Sequence, residues 1–214
     1  MCVVVFQTRN TEHETRNTAK HMLAAQISDR AWRIDGADMC VRNLLRHALM
    51  ADVPVQAVDR VTFHTYDGPL ESAMIAHRLG QLPIRGLTDL SFDVKVQAAA
   101  TAPLTWATAA HITGDSGRVV TGTEAAPDTS DPFLLVPLLA SQQVHVTCHT
   151  SLGTGRRRTT WASVFPVFRH VDEQTCVLTV ETTGALTPLA ACIAALQASC
   201  AVFATLLTPP LPPR

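Results

Sequence analysis

The feature that most limits what this chain can fold into is a twenty-residue stretch near its C-terminal end, PLAACIAALQASCAVFATLL at 188–207, which contains no charged residue. Thr187-Pro188 opens it as a helix, with proline in the first turn where its missing N–H costs nothing. Leu189, Ile193, Leu196, Cys200, Phe203 and Leu207 recur at spacings of four and three, a heptad-like seam. Between them, Ala190, Ala191, Ala194, Ala195, Ala198 and Ala201 keep the other sides small, so that another helix can approach closely. A helix apolar on nearly all sides has to be buried on nearly all sides. In a small α+β domain one face can lie on a sheet, which leaves the other for a second chain; the alternative is a core helix sandwiched within its own chain.

The remaining sequence supports an α+β reading. Its 214 residues, 47% of them apolar, suffice for one sizeable core or two small ones and exclude a disordered or fibrous chain. Formal net charge is -1, which supplies no global basic field for gripping nucleic acid. Charged residues make up 16%, below the roughly 25% of soluble domains, and the lysines are Lys20 and Lys95 alone. Two explanations stand side by side: a surface buried against other chains, or GC-rich coding. No basic n-region precedes the short run Val3-Val4-Val5-Phe6, and no window reaches the ~20 apolar residues of a membrane span, so an intracellular, soluble protein is expected.

Along the chain, residues 1–19 read as a weakly ordered extension. His21–Ile27 and Ala31–Asp35 form a hairpin around Ser28-Asp29-Arg30. From Asp38 to Met50 the period becomes helical, with Asp38 as N-cap and Val41, Leu44, Leu45 and Ala48 on one face. Pro54 ends that helix, Val55–His64 is a strand, and DGPLESAMIAHRLG is a second helix with Pro69 in its first turn and Gly80 as a left-handed C-terminal residue. Residues 88–150 read as a small β-rich insertion with strands at Phe92–Gln97, Leu104–Thr113 and Val144–Thr150. Strands at Ser163–Phe168 and Cys176–Glu181 lead to the last helix, and 208–214 is a Pro-rich tail. The discontinuous remainder, 20–87 with 151–207, is the main domain.

Motifs that would carry chemistry are weak. In HVTCH a strand sends His145, Thr147 and His149 to one face and Cys148 to the other, so no metal site forms. The six cysteines contain no C-x-x-C pair. Gly153-Thr154-Gly155 followed by Arg156, Arg157 and Arg158 lacks the Lys-Ser/Thr of a phosphate loop and the G-x-G-x-x-G of a dinucleotide fold. No nucleophile elbow, catalytic Cys–His pattern or paired carboxylates occur, and Asp128 and Asp131 lie in a Pro/Ser/Thr loop. No catalytic residue, metal or cofactor is assigned. The rival reading is a stand-alone α+β dimeric enzyme or ligand-binding protein using His145, Cys148, His149 and the Arg156–Arg158 loop.

Four segments, in order, resemble the alpha-like subunits of DNA-directed RNA polymerase: NLLRHALMADVPVQAVDRVTFH (43–64), LESAMIAHRLGQLPI (70–84), GTGRRRTTWASV (153–164) and VETTGALTP (180–188). They are similar to that family's N-A-L-R-R…A-[ED]-[VI]-P, A-H-R-[LI]-G-L-[IL]-P, G-x-G-x-x-H-x-K-W-x-P-V and V-E-[ST]-x-G-x-[LI]-x-P. The family includes the bacterial alpha N-terminal domain, the archaeal D subunit and the third-largest subunit of eukaryotic polymerase II. The resemblance implies an alpha-type dimerisation domain, an antiparallel sheet with two or three helices, and a small inserted domain. It also implies an assembly subunit that is not itself an enzyme. Such a subunit pairs through Val41, Leu44, Leu45 and Ala48 and the seam Leu189, Ile193, Leu196, Cys200, Phe203 and Leu207 with a second alpha-like chain, expected to be a smaller partner in preference to a self-copy. Asn43, Arg46, His47, His77, Arg78, Arg156, Arg157 and Trp161 match the segments that meet the two large subunits. His47 stands for the second arginine of the family doublet, and Arg158 and Thr160 for the His and Lys beside Trp161. The insertion lacks the cysteine cluster of some relatives, and nothing like a C-terminal DNA-binding domain is expected after Leu207. Such departures suit a divergent polymerase, such as that of a large DNA virus, working in nucleus, cytoplasm or virion.

Overall fold

The computed structural model describes residues 22–114, 118–120 and 132–207. The expected extension at 1–19, the tail at 208–214, and Asp128 and Asp131 lie outside them. The chain packs as two units.

The first unit comprises described residues 22–53, 164–182 and 188–207. Alternating residues make β1 (Leu23–Ser28) and β2 (Ala31–Asp35) a hairpin, in register from Leu23↔Asp35 to Ser28↔Ala31. The chain returns much later with β9 (Val164–His170) and β10 (Thr175–Thr182), giving an antiparallel sheet in the order β1-β2-β10-β9. The period of two turns Trp32, Ile34, Cys176, Leu178 and Val180 inward. Helix α1 (Met39–Ala51) is opened by Asp38, whose carboxylate accepts the Val41 N–H at 2.8 Å. Helix α3 (Pro188–Leu207) packs on α1 and β10, and α1 packs on β9.

The second unit comprises described residues 54–114, 118–120, 132–163 and 183–187. Its spine is β3 (Pro54–Tyr66) paired with β8 (Gln143–Thr154) from Pro54↔Thr154 to Tyr66↔Val144. Strands β4 (Ser91–Gln97) and β6 (Ile112–Gly114) complete the order β3-β8-β4-β6, while β5 (Thr105–Thr108) and β7 (Leu134–Leu138) form a two-stranded sheet. Helix α2 (Ser72–Gly80) sends Ile75 and Leu79 into a core with Ile84, Phe92, Val94, Val136, Leu138 and Val146.

Several sequence expectations change here. The boundaries at 87/88 and 150/151 cut through the second unit, because the full-length β3–β8 ladder binds 54–66 to 143–154 and α2 packs on β3. Helix α2 begins at Ser72, so Pro69 precedes it, and Gly80 is its last helical residue, followed by a right-handed Gln81 at φ -87°. The room Gly80 leaves faces Thr160, 3.4 Å from where a Cβ would lie. Leu104–Thr113 is broken by a 3-10 turn at Ala109–His111, and β7 was not read from its sequence, LLVPL. Proline inside a short apolar run argues against a strand, and only an edge pairing accommodates it.

Candidate subunit-docking surfaces

Among the described side chains of α3, Ala191 and Ala195 are the ones fully buried in the first unit. They are small enough for the helix to approach the sheet, and their choice turns the larger side chains outward. Leu189, Ile193 and Phe203 remain 47%, 49% and 50% exposed. Cys200 is exposed and Leu196 half-buried, whereas the side chain of Leu207 lies outside those described. On α1, Val41 and Leu44 are exposed and Leu45 is half-buried. Ala48 is a correction: it is buried inside its own unit beside Leu49, because the helical period puts it on the face that packs inward. Together α1 and α3 leave an apolar surface of the kind that marks a protein interface.

Beneath that surface sits a residue that sequence reading passed over. Arg42 is buried on α1; its Nε donates to the Ala37 carbonyl at 2.9 Å, Nη2 to the Glu173 carbonyl at 3.0 Å, and Nη1 to His170 Nδ1 at 2.8 Å. The last bond requires an unprotonated Nδ1, so the imidazole carries its hydrogen on Nε2. The guanidinium thus ties α1 to the β9–β10 turn. The available signal was its position three before Leu45 and seven before Leu49, on the inward stripe.

Of the residues matched to large-subunit segments, Asn43, Arg46 and His47 lie on α1. Asn43 and His47 are exposed, and half-buried Arg46 makes its hydrogen bonds within its own helix, with Nη2 3.2 Å from His47 Nε2 and Nη1 3.8 Å from Met50 Sδ. In the second unit His77 is exposed on α2, and Arg78 donates to the Leu135 carbonyl at 2.8 Å, tying α2 to β7. Trp161 is a further correction: at 1% exposure it cannot itself meet a partner. Its indole N–H donates to the Ser151 carbonyl at 3.0 Å, and a Cβ on Gly153 would lie 2.5 Å from its ring, so only glycine admits it. Arg157 and Arg158 lie over that ring at 5.3 and 5.1 Å, and Arg158 also pairs with Asp59 at 2.5 Å. The tryptophan is a table on which the arginine loop is laid out. Gly184, in the VETTGALTP segment, has φ 101°, a conformation that L side chains rarely adopt.

The rival site does not assemble. Cys148 faces the core, opposite His145 and His149, and burial, with the charge of Asp93 adding, pushes its thiol up to about 12. Such a thiol is not a nucleophile at neutral pH. Burial likewise pushes Cys192 up to about 11. Strand β8 contributes instead to a polar chain: a bulge at His64 lets its Nε2 meet Thr147 Oγ1 at 2.8 Å, and Thr147 donates to Asp93 Oδ1 at 2.5 Å. His145 stacks on His64 with ring centroids 4.6 Å apart. Among the described residues, no group of three or more His, Cys, Asp or Glu side chains could hold a metal ion, and no helix is long and apolar enough to cross a membrane.

Comparison with known proteins matches the sequence of this chain to one family. Residues 33–198 match the model of the RNA polymerase Rpb3/Rpb11 dimerisation domain. The chain is 29% identical over 161 residues to the RNA polymerase subunit Rpo3 of Thermoplasma volcanium, covering 64% of this chain and 58% of that one. It is 25% identical over 139 residues to Rpo3 of Pyrococcus horikoshii, covering 64% and 53%. With the polymerase II subunit rpb3 of Dictyostelium discoideum it shares 31% over 70 residues, covering 33% and 23%. The chain therefore spans little more than half the length of these two archaeal relatives. The sheet backed by two helices and the four motif segments in order have one common explanation: this chain belongs to the RNA polymerase Rpb3/Rpb11 dimerisation-domain family.

Proposed function

We propose that this chain is a non-catalytic assembly subunit of a multisubunit DNA-directed RNA polymerase. It pairs through α1 and α3 with a second, smaller alpha-like chain and docks the two large catalytic subunits. The observation that carries this reading is the uncovered apolar face of α3. Completing the burial of four half-exposed side chains, Leu189, Ile193, Val202 and Phe203, yields roughly 3–6 kcal/mol at ~1.5–3 kcal/mol per fully buried side chain. The partner's matching face adds a similar amount before the cost of association. Asn43, Arg46 and His47 on α1, and His77, Arg78, Arg156 and Arg157 in the second unit, meet the large subunits, and Trp161 acts by holding the arginine loop. The subunit works inside the cell and reads no DNA sequence, since two of the three loop arginines are laid against Trp161.

Co-expression with the two large polymerase chains tests the reading: stoichiometric co-purification is expected. Arg46→Ala should weaken that recruitment several-fold while leaving the thermal midpoint of the isolated chain within about 2 °C, because Arg46 bonds only within its own helix. A chain that stays monomeric, with no affinity for the large subunits, overturns the reading.

A further inference from the structure

In the second unit, three segments that carry family motifs converge on a small cleft of about 20 Å³: Leu82-Pro83 after α2, Ala162-Ser163 after the Trp161 turn, and Thr183 with Ala185 around Gly184. Strand β3 supplies its floor, and there lies Gln56, a polar residue only 1% exposed. Its amide orientation is determined by its neighbours. Asp89 Oδ1 is an acceptor, 2.9 Å from the Gln56 nitrogen. Thr150 Oγ1, 2.8 Å from the same nitrogen, already donates to the Leu90 carbonyl at 3.1 Å and accepts the Leu90 N–H at 2.9 Å, so toward Gln56 it accepts. The nitrogen must face Asp89 and Thr150, and Oε1 is left as the amide's second pole. That oxygen is buried and has no hydrogen-bond partner among the described residues, and the same is true of Oγ of Ser163, which also lines the cleft.

Two buried, unpaired polar atoms on residues that line one cleft are rare, since each buried and unsatisfied group costs on the order of 1–3 kcal/mol. A single water needs about 10–15 Å³ and two or more polar partners, and the cleft offers both. We infer that this cleft is a hydration site: one ordered water donates to Gln56 Oε1, exchanges a hydrogen bond with Ser163 Oγ, and ties the Ala162-Ser163 segment to β3. No larger ligand fits that volume. The site stands whether or not the docking function holds, because it concerns only the packing of the second unit.

Ser163→Ala in the full chain tests it by the sign of its effect. If the hydroxyl binds the water, its removal lowers the thermal midpoint by about 2–4 °C. A dry cleft would instead leave an unsatisfied hydroxyl whose removal leaves the midpoint unchanged or raises it, and either result overturns the inference. Ser151 Oγ, likewise buried and unpaired but not on the cleft, is the comparison: Ser151→Ala should leave the midpoint unchanged or raise it. A high-resolution crystal structure of the unsubstituted chain supplies a readout that needs no variant. Density within hydrogen-bond distance of both Gln56 Oε1 and Ser163 Oγ is expected, and a featureless cleft overturns the assignment.

Discussion

In the second unit, Ile75, Leu79, Ile84, Phe92, Leu138 and Val146 are covered by strands and a helix of that unit, while the solvent side of β3, β8 and β4 is polar, with Arg60, Thr62, His149, Asp93 and Lys95. In the first unit the sheet is covered by α1 and α3, yet those helices present Val41, Leu44, Leu189, Ile193, Val202 and Phe203 to solvent. One unit has finished its core and the other has stopped half way. The difference lies in the helices. Helix α2 buries Ile75 and Leu79 and carries Ser72, His77 and Arg78 beside them, whereas α3 has no polar face with which to end a domain.

The largest expected effect follows from that contrast. Ile193→Asp combined with Phe203→Asp should abolish association of the chain, since each places a charge where two apolar faces meet, and sedimentation should show a folded monomer in place of dimers or larger species. The unsubstituted chain behaving as a folded monomer would break the comparison itself. Charges at Trp106 or Leu134, exposed apolar residues of the second unit, should leave association unchanged.

A smaller effect separates the units by stability. Arg42→Met should destabilise the first unit by about 2–4 kcal/mol, because it leaves the Ala37 and Glu173 carbonyls and His170 Nδ1 without their donor. Hydrogen exchange should quicken at α1, β9 and β10 and stay unchanged in β3, β8 and β4. Uniform loss of protection across both units would mean that they unfold as one.

The smallest effect is a dependence on alkaline pH. Between pH 9.0 and about 12 the folded Cys148 thiol keeps a proton that the unfolded chain has released, and for Cys192 the window runs from 9.0 to about 11. The native state therefore binds more protons, and stability falls as pH rises through these windows. Cys148→Val should lessen the alkaline loss of the second unit, which Tyr66, also raised by burial, shares, and Cys192→Val that of the first, which Cys176 shares, read by denaturant midpoints from pH 8 to 11. Equal alkaline loss in the variants and the parent chain would show that other groups govern this limb.

What the sequence by itself determined was part of what is written in local period and in caps. The N-cap at Asp38, the hairpin at 23–35, the opposed faces of His145 and Cys148 along one strand, and the uncapped apolarity of 188–207 all follow from residues within a turn or two of one another. The apolar seam of α3 was legible because a heptad pattern states which side is apolar. Ala48 was misplaced because a helix stripe does not say which of its margins is turned inward. Three matters were left to the tertiary structure. It set the unit boundary, because the β3–β8 ladder joins residues about ninety apart, and no local signal records a pairing of that range. It turned Trp161 from a surface contact into the support of an arginine loop, because its pocket is made by the missing Cβ of Gly153 eight residues away. It gave Arg42 and Gln56 their buried roles, because a polar side chain reads as surface until the fold brings partners to satisfy it, and those partners, His170, Glu173, Asp89 and Thr150, are scattered over the whole sequence.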